Sequence, residues 1–179
     1  MKTIFLLLVG TILQTVICFS AEERSADARG ETQRVAFSQS CFWTGEMKLG
    51  QIDGVIRTEA GFLEGREVTV VDFLPARLSL TDLVRQAKDS GVADSIHFSS
   101  KAPRPAVAVL GIREGAPLDQ SYRVAPASDQ KKQIEGTPLG RLRLTPEQAT
   151  KVNAFARTNP GKALEYLTPA QREQLQAGK

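Results

Sequence analysis

The amino-acid sequence predicts an α+β fold in which a sheet and a layer of helices share one core, with further helices after it. Two observations lead to this prediction. Between Arg34 and Ile112, stretches with the alternation or β-branched composition of strands are interleaved with stretches of helical periodicity. Beyond residue 126 the strand-like stretches end, and two Thr-Pro-x-Gln tetrapeptides, at Thr145 and Thr168, indicate the starts of two helices.

Six stretches define the predicted core in the order strand, helix, strand, strand, helix, strand. They are RVAFS (Arg34–Ser38), FWTGEMKLGQI (42–52), GVIRTEAGF (54–62), EVTVVDF (Glu67–Phe73), SLTDLVRQAKDSG (79–91) and AVAVLGI (Ala106–Ile112). Both helical stretches carry apolar residues on one side and have a glycine stop signal near their end, at Gly50 and Gly91. This order is that of a split βαβ, ferredoxin-like core, a two-layer α/β sandwich. The C-terminal helices are expected to pack on it, since their segment is short for a separate domain.

The N-terminal end has the layout of a secretory signal peptide. Lys2 gives a positive start, the apolar run IFLLLVGTILQTVICF follows, and small residues at Ser20 and Ala21 offer a cleavage site. We therefore expect residues 1–20 to be removed and the protein to be exported, periplasmic or secreted, without stable membrane association. An uncleaved membrane anchor is an alternative, because the run is close to the shortest that spans a bilayer. A lipoprotein acylated on Cys18 is a weaker one.

Composition and charge predict how the rest of the chain is divided and which partners it has. Residues 21–33 are charged and poor in apolar side chains, which predicts a flexible leader. Residues 34–125 are the predicted domain and residues 126–179 its helical extension. With 41% hydrophobic residues the chain can build a core. The net charge of +3 is spread without a basic stripe, so nucleic acid is not an expected partner.

The small number of cysteines limits which disulfide bonds and metal sites the protein can form. Without Cys18, Cys41 is the sole thiol of the mature protein, so no intrachain disulfide can form. A leftover cysteine in an exported protein suggests a reactive thiol or an intermolecular bond. One cysteine and one histidine, His97, cannot fill a tetrahedral zinc shell without carboxylates, so no metal site is expected. His97 is expected to be a packed or surface histidine.

Cys41 lies where a predicted strand ends and a predicted helix begins. A thiol attacks as the thiolate, and the pKa of a thiol falls at a helix N-terminus, where backbone N–H groups and the helix dipole favour the anion. Phe42 and Trp43 follow directly and would wall an apolar pocket suited to a methyl group. The alternative is that all three are core residues, because free cysteine is among the most buried residue types.

Several stretches resemble the peptide methionine sulfoxide reductase A family. SCFWTGE resembles the family motif Gly-Cys-Phe-Trp-Gly-x-Glu, with Cys41, Phe42 and Trp43 at matching positions. GVIRTEAGF resembles Gly-Val-x-x-Thr-x-x-Gly-Tyr, with Phe62 where the family has tyrosine. EVTVVDFLP resembles Glu-Ala-Val-x-Val-x-Tyr-Asp-Pro, which aligns Glu67 with the family's catalytic acid.

The resemblance implies reduction of methionine (S)-sulfoxide in peptides or proteins, a repair of oxidative damage. In the family the thiolate attacks the sulfoxide sulfur, the oxygen is protonated, and methionine leaves a sulfenic acid on the cysteine, here Cys41. Glu67 would be the proton donor if burial keeps it protonated, although taken alone it would be a solvent-facing strand residue. Phe42 and Trp43 would hold the S-methyl group of the substrate.

Other positions are assigned through the same resemblance. LDQSYR resembles part of the family's Asp-x-Gly-Thr-Gln-Tyr-Arg-Ser segment, which makes Tyr122 a substrate-binding residue together with Phe62. Glu46 is expected on the helix surface or in a salt bridge at the pocket rim. The loop LEGR (63–66) is far shorter than the family's active-site loop. The tail holds no resolving cysteine, so the expected reductant is an external thiol, such as a thioredoxin-like protein, and no cofactor is expected.

Two other functions stay open at this point. The same fold would also suit a non-catalytic binding module or a thiol-based redox sensor, and the shortened loop favours this because it opens the pocket. Alternatively, Cys41 would exchange electrons with a partner protein as another kind of thiol oxidoreductase. The Cys-Phe-Trp sequence and Glu67 at family spacing favour the sulfoxide reductase, which is the function that the sequence predicts.

Overall fold

A computed structural model describes residues 31–101, 109 and 111–177. The strands in these ranges are β1 (Gln33–Ser38), β2 (Val55–Leu63), β3 (Arg66–Phe73), β4 (Ser95–His97), β5 (Arg113–Glu114) and β6 (Arg123–Val124). The α-helices are α1 (Phe42–Gln51), α2 (Leu80–Asp89), α3 (Leu118–Ser121), α4 (Pro146–Phe155), α5 (Pro160–Glu165) and α6 (Pro169–Ala177). The predicted signal peptide and most of the predicted leader lie outside the described residues.

The sheet confirms the predicted α+β fold. Its strand order is β5-β4-β1-β3-β2-β6, and the neighbours are antiparallel except for the parallel pair of β4 and β5. The inner order β4-β1-β3-β2, with α1 between β1 and β2 and α2 between β3 and β4, is the split βαβ arrangement of a ferredoxin-like core. The short strands β5 and β6 extend the sheet at its two edges.

The fourth core strand differs from the prediction. It is β4 rather than Ala106–Ile112, and most of that predicted stretch lies outside the described residues. Two of the three residues of β4 are polar, so its sequence lacks the apolar composition by which a buried strand is predicted, yet all three residues are buried. Ser95 Oγ lies 2.5 Å from Ser38 Oγ and 3.1 Å from His97 Nε2, so the buried polar groups satisfy one another.

The main core lies between the sheet and the helices α1 and α2. Alternation along the strands turns one set of side chains toward the helices, and α2 presents its predicted apolar face to them. The buried members of this core are Val35, Phe37, Leu49, Ile52, Val55, Val71, Phe73, Leu78, Leu83, Val84, Ala87, Val92, Ile96 and Phe98. The opposite face of the sheet is covered by a smaller cluster around Val68, Val70 and Leu118.

The C-terminal helices pack on this core through α4. Thr58 N of β2 donates to Thr150 Oγ1 at 3.0 Å, and Gln51 Nε2 donates to Ala154 O at 2.7 Å. Lys151 Nζ donates to the carbonyls at the end of α1, at 2.8 and 2.9 Å. A cation there complements the negative end of the helix dipole. The helical extension therefore shares side-chain and backbone contacts with α1 and β2.

The two predicted helix starts at Thr145 and Thr168 are confirmed. At each, the threonine hydroxyl and a glutamine three residues later exchange hydrogen bonds with the backbone. The sequence analysis missed α5, which begins at the pair Asn159-Pro160, where Asn159 Oδ1 accepts from Lys162 N at 3.1 Å. Within the described ranges, no helix is both long and apolar enough to span a membrane.

Gly45 lets α1 lie directly on the sheet. A methyl group there would collide with Thr69 Oγ1 and approach the Gln39 side-chain amide to 2.7 Å. We expect Gly45→Ala to lower the free energy of unfolding by about 1–3 kcal/mol, because the helix must shift. Gly161→Ala in α5 is the control, since its nearest neighbour is Asn159 Oδ1 at 3.7 Å. Urea unfolding measures both, and equal effects would contradict the proposed tight fit.

His97 should make stability depend on pH. Its Nδ1 lies 2.9 Å from Ala116 O, and burial lowers its pKa from the ordinary 6.5. As the pH falls below about 6.5, the unfolded chain binds a proton before the folded one does. The free energy of unfolding should therefore fall with decreasing pH in that range, and His97 should make no difference above it. Urea unfolding of the wild-type protein and of His97→Gln at about pH 7.5 and about pH 5.5 tests this. Because glutamine does not titrate, the variant should lose less free energy of unfolding between the two pH values than the wild type does. An equal loss in both proteins would contradict the prediction.

Candidate active site

Cys41 occupies the N-cap position of α1. The strand before it, β1, is held between β3 and β4, and Gln39 N prolongs the β1–β3 pairing by donating to Glu67 O at 3.3 Å. Cys41 has an extended backbone, with φ -152° and ψ 110°, and its carbonyl accepts the first helical bond from Gly45 N at 3.0 Å. Its thiol is partly buried and forms no cap hydrogen bond. The first turn of α1 therefore needs another acceptor.

Glu67 supplies that acceptor. Its side chain is on the helix-facing side of β3, because Thr69, two residues on, contacts α1 through its hydroxyl. Phe42 N donates to Glu67 Oε2 at 2.7 Å. The other oxygen, Oε1, accepts no hydrogen bond from the part of the chain that the structure describes. The solvent-facing alternative for Glu67 is therefore wrong, and its carboxylate binds the N–H of the residue that follows Cys41.

Three aromatic rings lie beside Cys41 and Glu67. Phe42, 3% exposed, meets Phe62 at 5.4 Å between ring centroids in an edge-to-face arrangement, and Trp43 at 6.0 Å. Phe62 is the cross-strand neighbour of Glu67. Phe42, Trp43 and Phe62, called the aromatic cluster below, thus join the predicted catalytic residues in one place. Trp43 Nε1 is buried and has no acceptor among the described residues.

Tyr122 is not brought to this site. Its ring occupies the space that a side chain at Gly61 would need, on the sheet face opposite to that of Phe62. Its hydroxyl donates to Glu59 Oε1 at 2.7 Å, and burial, followed by this bond, raises the pKa of Tyr122. The assignment of Tyr122 to substrate binding is therefore corrected, because the sheet separates its ring from Cys41.

Glu46 is a buried residue, not a surface one. It is 0% exposed, and its carboxylate pairs with Lys131 Nζ and accepts from Lys131 N at 2.7 Å. Lys131 Nζ also donates to Thr58 O at 2.7 Å. The predicted position on the helix surface is therefore wrong. The predicted salt bridge is present, but it lies in the interior and not at a pocket rim. Lys131 gave no signal in the sequence, because 85 residues separate it from Glu46.

The short loop between β2 and β3 is a tight hairpin turn. Glu64 and Gly65 have φ angles of 50° and 76°, the left-handed conformation that a two-residue turn of this kind requires. Such a turn is too short to fold over the aromatic cluster. Residues 125–132, called the covering segment below, lie against the cluster instead, and Ala125 packs on Phe42.

The described residues offer neither a cluster of metal ligands nor a second cysteine to pair with Cys41. Within the described ranges, no three His, Cys, Asp or Glu side chains come together in a way that would hold a metal ion. Cys41 is the free cysteine of that part of the chain. The groups that the site does offer are a thiol, a carboxyl with one oxygen unoccupied, and aromatic surface. These groups suit thiol chemistry on a small substrate group with an apolar side.

Comparison with known proteins adds little to this geometry. No family model matches the sequence, and no curated protein matches it significantly. Among solved structures, methionine sulfoxide reductase A of Corynebacterium diphtheriae is similar, with a TM-score of 0.45 and 19% sequence identity. The alignment covers 64% of this chain and 80% of that one. A likeness of this size carries no argument about function, which has to come from the site itself.

Removing Lys131 should destabilise the protein strongly. Lys131→Met leaves the Glu46 carboxylate buried without its cation, and we expect a loss of about 3 kcal/mol in the free energy of unfolding. The double variant Glu46→Gln, Lys131→Met removes both charges and should recover about half of that loss. Urea unfolding measures both variants. A double variant as unstable as the single one would show that the charge pair is not what the site depends on.

Proposed function

We propose that this chain is a thiol-dependent oxidoreductase that reduces methionine (S)-sulfoxide in peptides or proteins to methionine, with Cys41 as nucleophile. The observation that carries the proposal is the hydrogen bond of 2.7 Å between Phe42 N and Glu67 Oε2. It holds the Glu67 carboxyl group against the backbone N–H of the residue that follows Cys41. The resemblance of the Cys41 and Glu67 segments to the reductase motifs supports the same reaction.

The aromatic cluster would bind the apolar end of the substrate. Methyl and sulfur groups pack favourably on aromatic rings. Phe42 is held by Phe62 and by the hydrogen bond of its own N–H, and it is 3% exposed, so its ring is a fixed support for the cluster. Trp43 and Phe62 are only partly buried, so their rings would meet the substrate. A methyl group placed against these rings would orient the sulfoxide sulfur toward Cys41.

The reaction transfers one oxygen atom and two electrons. The Cys41 thiolate attacks the sulfoxide sulfur and forms a sulfur–sulfur bond, and the sulfoxide oxygen takes up a proton. The S–O bond of the substrate and the new sulfur–sulfur bond then break as the oxygen becomes bonded to the sulfur of Cys41. The products are methionine, reduced by two electrons, and a Cys41 sulfenic acid, oxidised by two. The developing negative charge is on the oxygen, so a proton donor must lie within hydrogen-bond reach of it.

Glu67 is the proposed donor. Because Oε2 is occupied by the N–H of Phe42, the proton would be carried on Oε1 and delivered from there. The carboxylate that remains keeps its hydrogen bond at the start of α1, where the helix dipole favours a negative charge. A water molecule would return the proton after methionine leaves.

An external thiol would complete the cycle. The first thiol displaces water from the Cys41 sulfenic acid and forms a mixed disulfide, and a second thiol releases Cys41 and leaves as a disulfide. A thioredoxin-like protein is the class of reductant proposed, since the sequence offers Cys41 no second cysteine once residues 1–20 are removed. The proposed setting is outside the cytoplasm, on the strength of the signal-peptide pattern in those residues.

A redox-sensing module is the second candidate. It is favoured by the structural role of Glu67, whose carboxylate serves as a helix cap whether or not it moves protons. It is also favoured by the position of Tyr122, which the sheet keeps away from Cys41 as a further donor. In that case peroxide would convert Cys41 to a sulfenic acid, but a sulfoxide peptide would yield no methionine.

The test is turnover of a peptide containing methionine (S)-sulfoxide with a small dithiol, followed by mass spectrometry. We expect Cys41→Ser to abolish methionine formation. Glu67→Gln keeps an acceptor for Phe42 N but loses the proton, so kcat should fall about 10²–10⁴-fold. Glu59→Gln, a matched change on the other sheet face, should retain most activity. No methionine from the wild-type protein would exclude the reductase.

A further inference from the structure

The side chain of Gln130 takes the place of a strand neighbour of β2. The strand β6 pairs with β2 only as far as Val124 and Gly61. Beyond that point Ala60 N donates to Gln130 Oε1 at 3.0 Å, while Gln130 Nε2 donates to Ala60 O at 2.8 Å and to Ala125 O at 3.2 Å. Ala60 O also accepts from Ala125 N at 3.0 Å. Gln130 therefore supplies the acceptor for Ala60 N and a second donor to Ala60 O, where the strand pairing of β6 ends.

The residues that Gln130 joins lie under the aromatic cluster. Ala60 and Ala125 are both fully or nearly buried, and both pack against Phe42. Phe42 in turn follows Cys41 and donates its N–H to Glu67. The three hydrogen bonds of Gln130 therefore hold the apolar surface on which the proposed substrate-binding ring sits.

The two residues after Gln130 attach the covering segment to α1. Lys131 forms the buried ion pair with Glu46. Lys132 places its Nζ 5.1 Å from the centroid of the Trp43 ring, a cation–π contact. Three consecutive residues therefore bind three parts of the site: the backbone of β2, the interior side of α1 and the indole of the aromatic cluster.

We propose that the covering segment is a wall of the substrate site, and that Gln130 is the positioning residue that holds this wall against the aromatic cluster. The hairpin at Glu64 and Gly65 is too short for that task, and the chain after β6 takes it over. The inference rests on the proposed function for its kinetic consequence. Its structural consequence, the shielding of Trp43 and the fixed position of Phe42 next to Cys41, does not depend on which reaction takes place.

The test replaces Gln130 with methionine, which has similar length but cannot make the three hydrogen bonds. Trp43 is the sole tryptophan of the chain, so its fluorescence quenching by acrylamide reports directly on the wall. We expect stronger quenching and a rise of about three- to tenfold in the rate of Cys41 alkylation by iodoacetamide, as access increases. With the sulfoxide peptide, KM should rise about tenfold, the equivalent of one or two hydrogen bonds, while kcat changes little.

The matched control is Gln171→Met. Gln171 also bonds backbone through its amide, to Arg143 O at 2.8 Å and from Thr168 N at 2.8 Å, but it lies in the C-terminal helices. This variant should leave Trp43 quenching, Cys41 alkylation and KM unchanged, even if it lowers stability as much as Gln130→Met does. Equal behaviour of the two variants would overturn the inference.

A second variant keeps the test valid if Gln130→Met folds poorly. Gln130→Glu retains an acceptor for Ala60 N, but its carboxylate faces the carbonyls of Ala60 and Ala125. Burial beside carbonyl oxygens disfavours the charged form and raises the pKa of the introduced carboxyl group above its ordinary value of about 4.3. Trp43 quenching should therefore be strong at about pH 7.5 and return toward the wild-type value at about pH 5, where protonation restores a donor. Quenching identical to wild type at both pH values would overturn the inference.

The outcomes separate the two proposals. Changed quenching and alkylation without any sulfoxide reduction would support the wall and exclude the reductase. Sulfoxide reduction with wild-type quenching, alkylation and KM in Gln130→Met would support the reductase and overturn the role of Gln130.

Discussion

The antiparallel register of β1 and β3 is the constraint on which the site depends. Because Ser38 pairs with Val68, the turn after β1 runs beside the start of β3, and the side chain of Glu67 reaches the first N–H of α1. A shift of one residue would turn Glu67 to the other face of the sheet and leave that N–H without its acceptor. The position of the thiol, the direction of α1 and the place of the carboxyl group thus follow from one strand pairing.

The buried pair of Glu46 and Lys131 links this frame to the C-terminal half of the chain. An ion pair in the interior contributes little net stability, but it tolerates poorly the loss of either partner. Its effect is therefore to specify where residues 125–132 lie. Together with Gln130 it places residues of the C-terminal half beside the aromatic cluster.

The sheet also separates the polar residues onto its two faces. Cys41 and Glu67 are on the face covered by α1, whereas Tyr122 and Glu59 are bonded to each other on the opposite face. Alternation along a strand makes this division strict, since neighbouring residues point to opposite sides. Glu67, and not Tyr122, is therefore the polar side chain that the sheet brings to the start of α1.

The sequence by itself determined the order of the inner core elements, the ferredoxin-like class and two helix starts. These depend on local signals, namely alternation and caps. The grouping of Cys41, Phe42, Trp43, Phe62 and Glu67 was predicted through the resemblance to the reductase motifs. Only the tertiary structure decided the fourth core strand, the burial of Glu46, the side of the sheet on which Tyr122 lies, and the roles of Gln130 and Lys131. The reason is physical: polar residues are buried only where distant partners satisfy them, and those partners are set by strand register and helix packing, which no local pattern records.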